Sequence, residues 1–353
     1  MNFEIKRNVL LKALQKFQGF TKEGHAIAVL SNVLIDAYEN GIQITATNLE
    51  ITLRNCYPAE VKKTGCVTLP SKKLFELVKE LADETVEFRG EKGFVNVNCG
   101  KFKSRISSLP VESFPEFPKI DATAQAKIQS SLLKKMISNT IFSVDESHIS
   151  FNFLMFESDG EKVTMVSTDG HRLSIVENEI SLDKFKIQLT KQSAIELFKI
   201  LCSLEEVIIN IGNNHASFEK NDLNFVVRLQ REKFPNYESI LSSVKGDLFQ
   251  INRETLVSAI KRVSLCSDDL SNMVKFGFED ELTVTSNSEG GEASEKVEIV
   301  GSSEKVIGLN AKFVLEALKV CENEIIEFYV EAENKPALII DNGKYVIMSM
   351  RVK

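Results

Sequence analysis

The sequence predicts an α+β protein of three repeated domains, each an antiparallel sheet with two helices on one face, and three observations carry that reading. A stretch running L-P-S-K-K-L-F-E-L-V-K from Leu69 to Lys79 returns as L-T-K-Q-S-A-I-E-L-F-K from Leu189 to Lys199, and again as L-N-A-K-F-V-L-E-A-L-K from Leu309 to Lys319, at a constant spacing of 120 residues. An alternating opening that leads into apolar residues at helical spacing recurs around Ile5, Ile128 and Ile251, each 123 residues after the last. Short alternating runs closing in turn residues fill the intervals. An internal repeat of this length has to be recognised before any motif is weighed, because it fixes how many domains the motifs belong to.

Each element follows from local pattern. Phe3-Glu-Ile5-Lys-Arg7 leads into Leu10, Leu11 and Leu14; Ala126-Lys-Ile128-Gln-Ser130 into Leu132, Leu133 and Ile137; Phe249-Gln-Ile251-Asn-Arg253 into Leu256, Val257 and Ile260. Alternation followed by i, i+3, i+4 spacing is a strand feeding an amphipathic helix. The Leu69, Leu189 and Leu309 copies read as a second helix per repeat, each with a late lysine suited to a helix C-terminus. Between the helices, Ile42–Asn48, Val163–Asp169 and Leu282–Ser288 alternate as strands do, as do later runs beginning at Val86, Val95, Val207, Phe225, Ile325 and Tyr345. Ser113-Phe-Pro-Glu116 and Lys233-Phe-Pro-Asn236 lie 120 residues apart, and proline there breaks a ladder. The expected domains are therefore residues 1–122, 126–243 and 247–353.

Composition narrows the class. Hydrophobic residues make up 43% and charged residues 26% of the 353, as in an ordinary globular protein. No apolar run approaches the ~20 residues of a membrane span, and Met-Asn-Phe-Glu-Ile-Lys opens no signal peptide, so a cytoplasmic protein with no membrane partner is expected. Six scattered cysteines show no C-x-x-C and no Cys/His spacing for zinc, so no metal and no cofactor are expected. A net charge of −7 argues against indiscriminate adhesion to nucleic acid while leaving room for a local basic surface.

Several stretches together resemble the bacterial replicative DNA sliding clamp, the beta subunit of the replicative DNA polymerase. They are the opening F-E-I-K-R-x-x-L-L-K, T-N-L-E-I from Thr47, S-S-L-P-x-x-x-F-P from Ser107, T-D-G-H-R-L from Thr168, F-P-N-Y from Phe234 and M-S-M-R-V from Met348. The resemblance spans the whole chain. It implies that the three domains form half of a closed dimeric ring, a homodimer joined head to tail. Such a ring slides on double-stranded DNA without reading its sequence, tethers the replicative polymerase, and performs no chemistry.

On that reading the helices line a hole, and the lysines on their outer faces meet phosphate: Lys72, Lys79, Lys199, Lys312 and Lys319 from the second helices, and Lys12, Lys16, Lys134, Lys135, Lys261 and Arg262 from the first. Lysine attracts phosphate as a mobile point charge, without the fixed fork with which arginine reads a guanine edge. The alternative is that these are ordinary solvated helix faces; the recurrence of Lys79, Lys199 and Lys319 favours the common role. For closure the resemblance pairs the first domain of one protomer with the third of the other. Lys101, Lys103 and Arg105 then sit on the last strand of domain one, opposite Glu289, Glu292 and Glu295 with Leu265 as an apolar contact.

The family also holds partner proteins, among them polymerase, clamp loader and repair proteins, by short peptide motifs in a groove between domains two and three. Its matching positions here are Phe151, Thr168, Gly170, His171, Arg172, Leu173, Pro235, Ile240, Val346, Met348, Ser349, Met350, Arg351 and Val352. Ser349 stands where the family has proline, Phe151 is bulkier than the usual aliphatic, and Lys353 extends past the usual terminus. Gly24-His-Ala-Ile-Ala28 lacks the basic and proline residues of the family's DNA-facing loop, so that contact is not carried over. A hydrolase triad of Asp169 and His171 with Ser167 or Ser174 is the rival from another class, but no G-x-S-x-G elbow, Walker loop or G-x-G-x-x-G accompanies it. A monomeric three-domain peptide-binding scaffold that never encircles DNA is the other alternative.

Overall fold

Six strand-to-helix steps carry the repeat in the computed structural model, which describes residues 1–21, 26–82, 84–268 and 271–352. The first repeat runs β1 (Asn2–Lys6), α1 (Arg7–Gln15), β2 (Asn32–Tyr38), β3 (Gly41–Thr47), β4 (Ile51–Tyr57), β5 (Glu60–Lys63), β6 (Gly65–Pro70), α2 (Ser71–Glu80), β7 (Thr85–Glu91), β8 (Phe94–Cys99) and β9 (Phe102–Ser107). The second runs β10 (Ala124–Gln129), α3 (Ser130–Ser138), β11 (Phe153–Ser158), β12 (Val163–Thr168), β13 (Arg172–Asn178), β14 (Phe185–Thr190), α4 (Lys191–Leu201), β15 (Glu206–Ile211), β16 (His215–Lys220) and β17 (Leu223–Arg228). A short α5 (Tyr237–Ser243) follows in the linker. The third comprises β18 (Asp247–Asn252), α6 (Arg253–Val263), β19 (Met273–Phe278), β20 (Glu281–Ser288), β21 (Gly291–Val300), β22 (Lys305–Asn310), α7 (Ala311–Val320), β23 (Ile325–Val330), β24 (Ala337–Ile340) and β25 (Lys344–Ile347).

Each repeat is two halves, each a strand, a helix and three more strands, with β5 as an addition in the first. The strand that feeds a helix joins the three strands of the other half: β1 lies beside β7, and β6 beside β2. The expectation of one sheet per repeat is thus corrected in the first two repeats, whose halves lie in different sheets, while in the third a short β18–β21 ladder joins the two halves into one. Alternation in a sequence shows which face of a strand is buried, but carries no information about the sheet it joins. The second helices also begin two residues later than the repeated stretches. Leu69, Leu189 and Leu309 end strands, and α2, α4 and α7 start at Ser71, Lys191 and Ala311. At Leu69 the following proline disfavours helical backbone, and Asn310 caps α7 by accepting from the N–H groups of Lys312 and Phe313, which is worth ~1 kcal/mol.

The chain packs as two units. Met1–Lys134 with Gln192–Gln230 holds a five-stranded sheet ordered β5-β1-β7-β8-β9 and an eight-stranded sheet ordered β10-β15-β16-β17-β4-β3-β2-β6. Its interior includes Phe3 stacked on Phe88 at 4.8 Å, and α1 buries Leu10, Ala13 and Leu14 along one stripe. Lys135–Lys191 with Arg231–Lys353 holds one twelve-stranded sheet, β14-β11-β12-β13-β25-β24-β23-β18-β21-β20-β19-β22. Its largest apolar cluster centres on Phe249, Phe276, Phe278 and Phe328, with α6 and α7 laid against it through Leu256, Ile260, Val314 and Leu318.

Two ladders join successive repeats, and both obey one rule. The last strand of the first half of a repeat pairs antiparallel with the last strand of the second half of the next. In the first unit this is β4 with β17, matching Ile51 to Val227 and Leu53 to Phe225; in the second it is β13 with β25, matching Leu173 to Val346 and Ile175 to Lys344. The helix ends repeat too. The Arg7 guanidinium donates to the carbonyls of Val78 and Lys79 at the end of α2, and Arg253 to the carbonyl of Cys321 after α7. The matching position of the central repeat is Ser130, whose side chain is too short to reach and whose hydroxyl is buried without a partner.

Candidate functional site

The T-D-G-H-R-L motif is a turn built to hold its shape. The Thr168 hydroxyl donates to the Arg172 carbonyl at 2.6 Å and accepts from the Gly170 N–H at 3.1 Å, while one Asp169 oxygen accepts from the N–H groups of His171 and Arg172, both at 2.9 Å. Gly170 has φ +84°, and a Cβ there would lie 3.3 Å from the Phe151 ring. The position needs glycine twice over, for backbone conformation and for room. The Arg172 side chain runs inward instead of lining a wall. Its Nε donates to Asp169 at 2.9 Å, its other nitrogens to Glu316 and the Phe142 carbonyl, and its guanidinium lies 4.3 Å from the Phe313 ring centroid. Ser167 donates to the Thr140 carbonyl and the Ser174 hydroxyl is hydrogen-bonded to that of Ser143, so both hydroxyls weighed for a triad are engaged away from His171.

Behind this turn lies an apolar floor. Met155, Val166, Leu173, Ile175, Leu338 and Val346 are buried together, and Phe234, Tyr237, Ile240, Leu241 and Val244 of the linker pack on them. The chain end closes one side: the Met348 N–H donates to the His171 carbonyl at 2.8 Å, leaving the Met348 side chain exposed. Beyond it, the Met350 N–H donates to the Gly308 carbonyl, so Met350 and the neighbouring Val352 follow the edge of β22. Phe151, Thr168, Gly170, His171, Leu173, Ile240, Val346 and Met348 thus gather at one place. Pro235 is half-buried at its rim, its carbonyl accepting from Tyr237. Ser349 is half-buried and Arg351 exposed; Lys353 lies outside the described residues, as does the Gly24-His25 part of the loop discussed above. Met155, Val166, Ile175 and Leu338 lie outside the matched motifs, and Tyr237, within F-P-N-Y, was not assigned to the pocket. Strand alternation around Leu173 and Ile175 was the available signal. The Tyr237 hydroxyl, raised far above its ordinary pKa by burial and by Glu157, stays protonated and donates to Glu157 at 2.6 Å.

The basic helix positions differ in exposure and in the partners they hold. Lys12, Lys72, Lys79, Lys199, Lys261, Arg262, Lys312 and Lys319 are exposed, and Lys16, Lys134 and Lys135 are half-buried. In the first unit Lys12, Lys16 and Lys199 line an open groove of ≈ 530 Å³ with Glu196, which pairs with Lys199 at 2.7 Å; burial lowers the pKa of Lys16. Lys134 lies over the Phe198 ring at 5.4 Å. In the second unit Lys135 pairs with Glu322 at 2.7 Å, and the Arg262 Nε donates to Glu295 at 2.8 Å. The last pair joins two residues that the sequence reading had placed on different surfaces.

Models of the DNA polymerase III beta subunit match the chain in three pieces: the N-terminal domain over residues 1–118, the central domain over 127–236 and the C-terminal domain over 239–351. A beta sliding clamp from Chlamydia pneumoniae is 30% identical over 363 residues, covering 100% of this chain and 99% of its own. The chain belongs to the beta sliding clamp family. A clamp from Vibrio cholerae is 27% identical with 100% of each chain covered. A crystal structure of a Pseudomonas aeruginosa sliding clamp bound to griselimycin aligns at a TM-score of 0.95 and 28% identity, covering 100% of both chains. Clamp membership makes this protein a DNA polymerase processivity factor.

Two open strand edges, one in each unit, lack the partner that the ladder rule supplies elsewhere. In the first, β9 ends the five-stranded sheet. In the second, β21 pairs with β20 along its length and with β18 only at Ile299 and Val300, so among the described residues nothing pairs with the outer edge of Gly291–Glu298. Lys103 and Arg105 lie on β9, with Lys101 in the turn before it; Glu292 and Glu295 lie on β21, with Glu289 in the turn before that. Leu265, 85% exposed, follows α6. Among the described residues no helix is long and apolar enough to cross a membrane, and no three His, Cys, Asp or Glu side chains gather as metal ligands.

Proposed function

We propose that two copies close head to tail into a ring around duplex DNA, through β21 of each protomer and β9 of the other. The observation that carries this is the ladder rule. It supplies partners for β4 and β13 inside the chain and leaves β21 and β9 as the one unmatched pair of that kind. A head-to-tail contact between identical chains is the arrangement that satisfies both edges without leaving either exposed. Lys103 and Arg105 facing Glu292 set the register of that ladder, since exposed charge pairs are worth only ~0–1 kcal/mol each. Glu295, already held by Arg262, contributes less. Domain boundaries at residues 1–122, 126–243 and 247–353 go with this reading, as does a cytoplasmic location.

The exposed lysines of α1, α2, α4, α6 and α7 face the duplex, giving a weak, sequence-blind and salt-sensitive hold that topology converts into retention. The pocket behind Gly170 takes the apolar anchors of short peptides from polymerase, clamp loader and repair proteins, with Met348 and Met350 adapting to different partners. The protein carries out no reaction of its own. Retention on circular DNA after loading, followed by linearisation, tests the ring: release at the ends is expected, and persistence on linear DNA overturns it. A monomeric scaffold is separated by mass in solution, since it runs as one chain of 39.6 kDa and the ring as two.

A further inference from the structure

We propose that Arg172 is a positioning residue for two surfaces at once, fixing the peptide-binding turn while keeping the basic face of α7 available to DNA. The inference rests on the function proposed above and adds a physical link between its two sites. Arg172 comes from β13, next to the turn it braces through Asp169, yet its far end reaches Glu316 on α7. Its side chain is only 11% exposed, lying between the Phe142 and Phe313 rings with a 2.5 Å bond to the Phe142 carbonyl. A planar fork with five donors can serve two carboxylates and a carbonyl in one plane while its faces stack; an ammonium cannot.

The charge arrangement on α7 gives this contact a second consequence. Glu316 stands four residues after Lys312 and three before Lys319, where helix geometry brings side chains together. Both lysines are exposed. With Glu316 bonded to Arg172, its negative charge is drawn toward the pocket and away from the lysines. Release of Glu316 returns an acid to the middle of a basic face, opposing phosphate. Arg172 therefore acts through Asp169 on one surface and through Glu316 on the other.

Three substitutions separate the roles. Probes are a synthetic peptide with Leu and Phe anchors, followed by fluorescence anisotropy, and a random-sequence duplex titrated at several salt concentrations. Arg172→Lys keeps a cation beside Glu316 but loses the fork, so peptide affinity falls roughly tenfold and duplex affinity holds. Arg172→Gln loses both, so peptide and duplex affinities fall together. Glu316→Gln, outside the pocket, raises duplex affinity while lowering peptide affinity roughly threefold, within the range seen for residues that couple through a neighbour. Thermal melts identify any variant that fails to fold, and Glu316→Gln, at a half-exposed helix position, keeps the test alive if the Arg172 variants do fail. The proposal is overturned if Glu316→Gln leaves peptide affinity unchanged, or if Arg172→Lys and Arg172→Gln shift duplex binding equally. A wild-type protein that binds neither probe sinks the functional reading and this inference with it, whereas binding of both probes with no effect of Glu316→Gln sinks the inference alone.

Discussion

The turn Thr47–Ile51 in the first unit and the turn Thr168–Arg172 in the second are one backbone device used twice. At the first, Leu49 donates to the Thr47 hydroxyl at 3.0 Å, and Glu50 and Ile51 donate to the Asn48 side chain at 3.1 and 2.7 Å. The Arg228 N–H reaches the Glu50 carbonyl at 2.8 Å, as the Met348 N–H reaches that of His171. What differs is the side chains. Thr45, Thr52 and Arg54 stand at repeat positions held by Val166, Leu173 and Ile175 in the second unit, and Arg54 lies 3.6 Å over the ring of linker residue Phe117. Leu49 occupies the glycine position at φ +75°. The first linker stacks on a charged side chain, Arg54, whereas the second packs on an apolar floor beside its turn. Repetition supplies the scaffold, and the exposed remainder makes a site.

The largest expected effect breaks the second region outright. Removing residues 348–353 takes away the Met348 wall and its bond to the turn, so binding of a polymerase-derived peptide is abolished while cooperative unfolding persists; unchanged affinity refutes the pocket. Next, Gly170→Leu writes the first turn's residue into the second. The side chain strikes Phe151 and the backbone conformation disfavours it, so peptide affinity falls at least tenfold and stability by ~1–2 kcal/mol, read by calorimetric titration and chemical denaturation. Arg54→Ala works on the first region, uncovering Phe117 at a cost of ~1 kcal/mol with peptide affinity intact.

The smallest effect is a difference in acid response. His215 in the first unit has its pKa lowered from 6.5 by burial, then by the Arg228 charge. The unfolded chain takes that proton more readily, so stability falls once pH drops below about 6.5. Glu177 in the second unit is opposed by burial, but hydrogen bonds from Lys162 and Lys344 prevail and its pKa is lowered from 4.5. Its contribution is present above that value and disappears as pH falls below it. Melting curves from pH ~8 to ~4 should show the histidine loss first, and His215→Phe should remove that step only.

Three-fold repetition, the two helices of each repeat, the strand that feeds the first of them and the Thr168 turn were legible because periodicity and turn chemistry are local; the strands β6, β14 and β22 that feed the second helices were not. Sheet membership was not: β4 is buried over its first three residues, Ile51–Leu53, but nothing in Ile51–Tyr57 names β17 as its neighbour. The destination of Arg172 was equally hidden, since a motif match fixes position and leaves side-chain direction open. Arg262 and Glu295 were assigned to separate surfaces for the same reason, their pairing being a matter of fold, not of spacing.

The missing arginine at Ser130 has a further consequence. Where Arg7 and Arg253 fasten the ends of α2 and α7 from a distant strand end, the end of α4 is finished locally, with the Ser203 and Leu204 N–H groups closing onto Ile200 and Leu201 and the Cys202 and Ser203 side chains onto Phe198 and Ile200. A protein assembled from one part thrice over need not loosen evenly. Amide protons in the last turn of α4 should exchange with solvent sooner than those of its two counterparts, so wear begins in the middle of the chain.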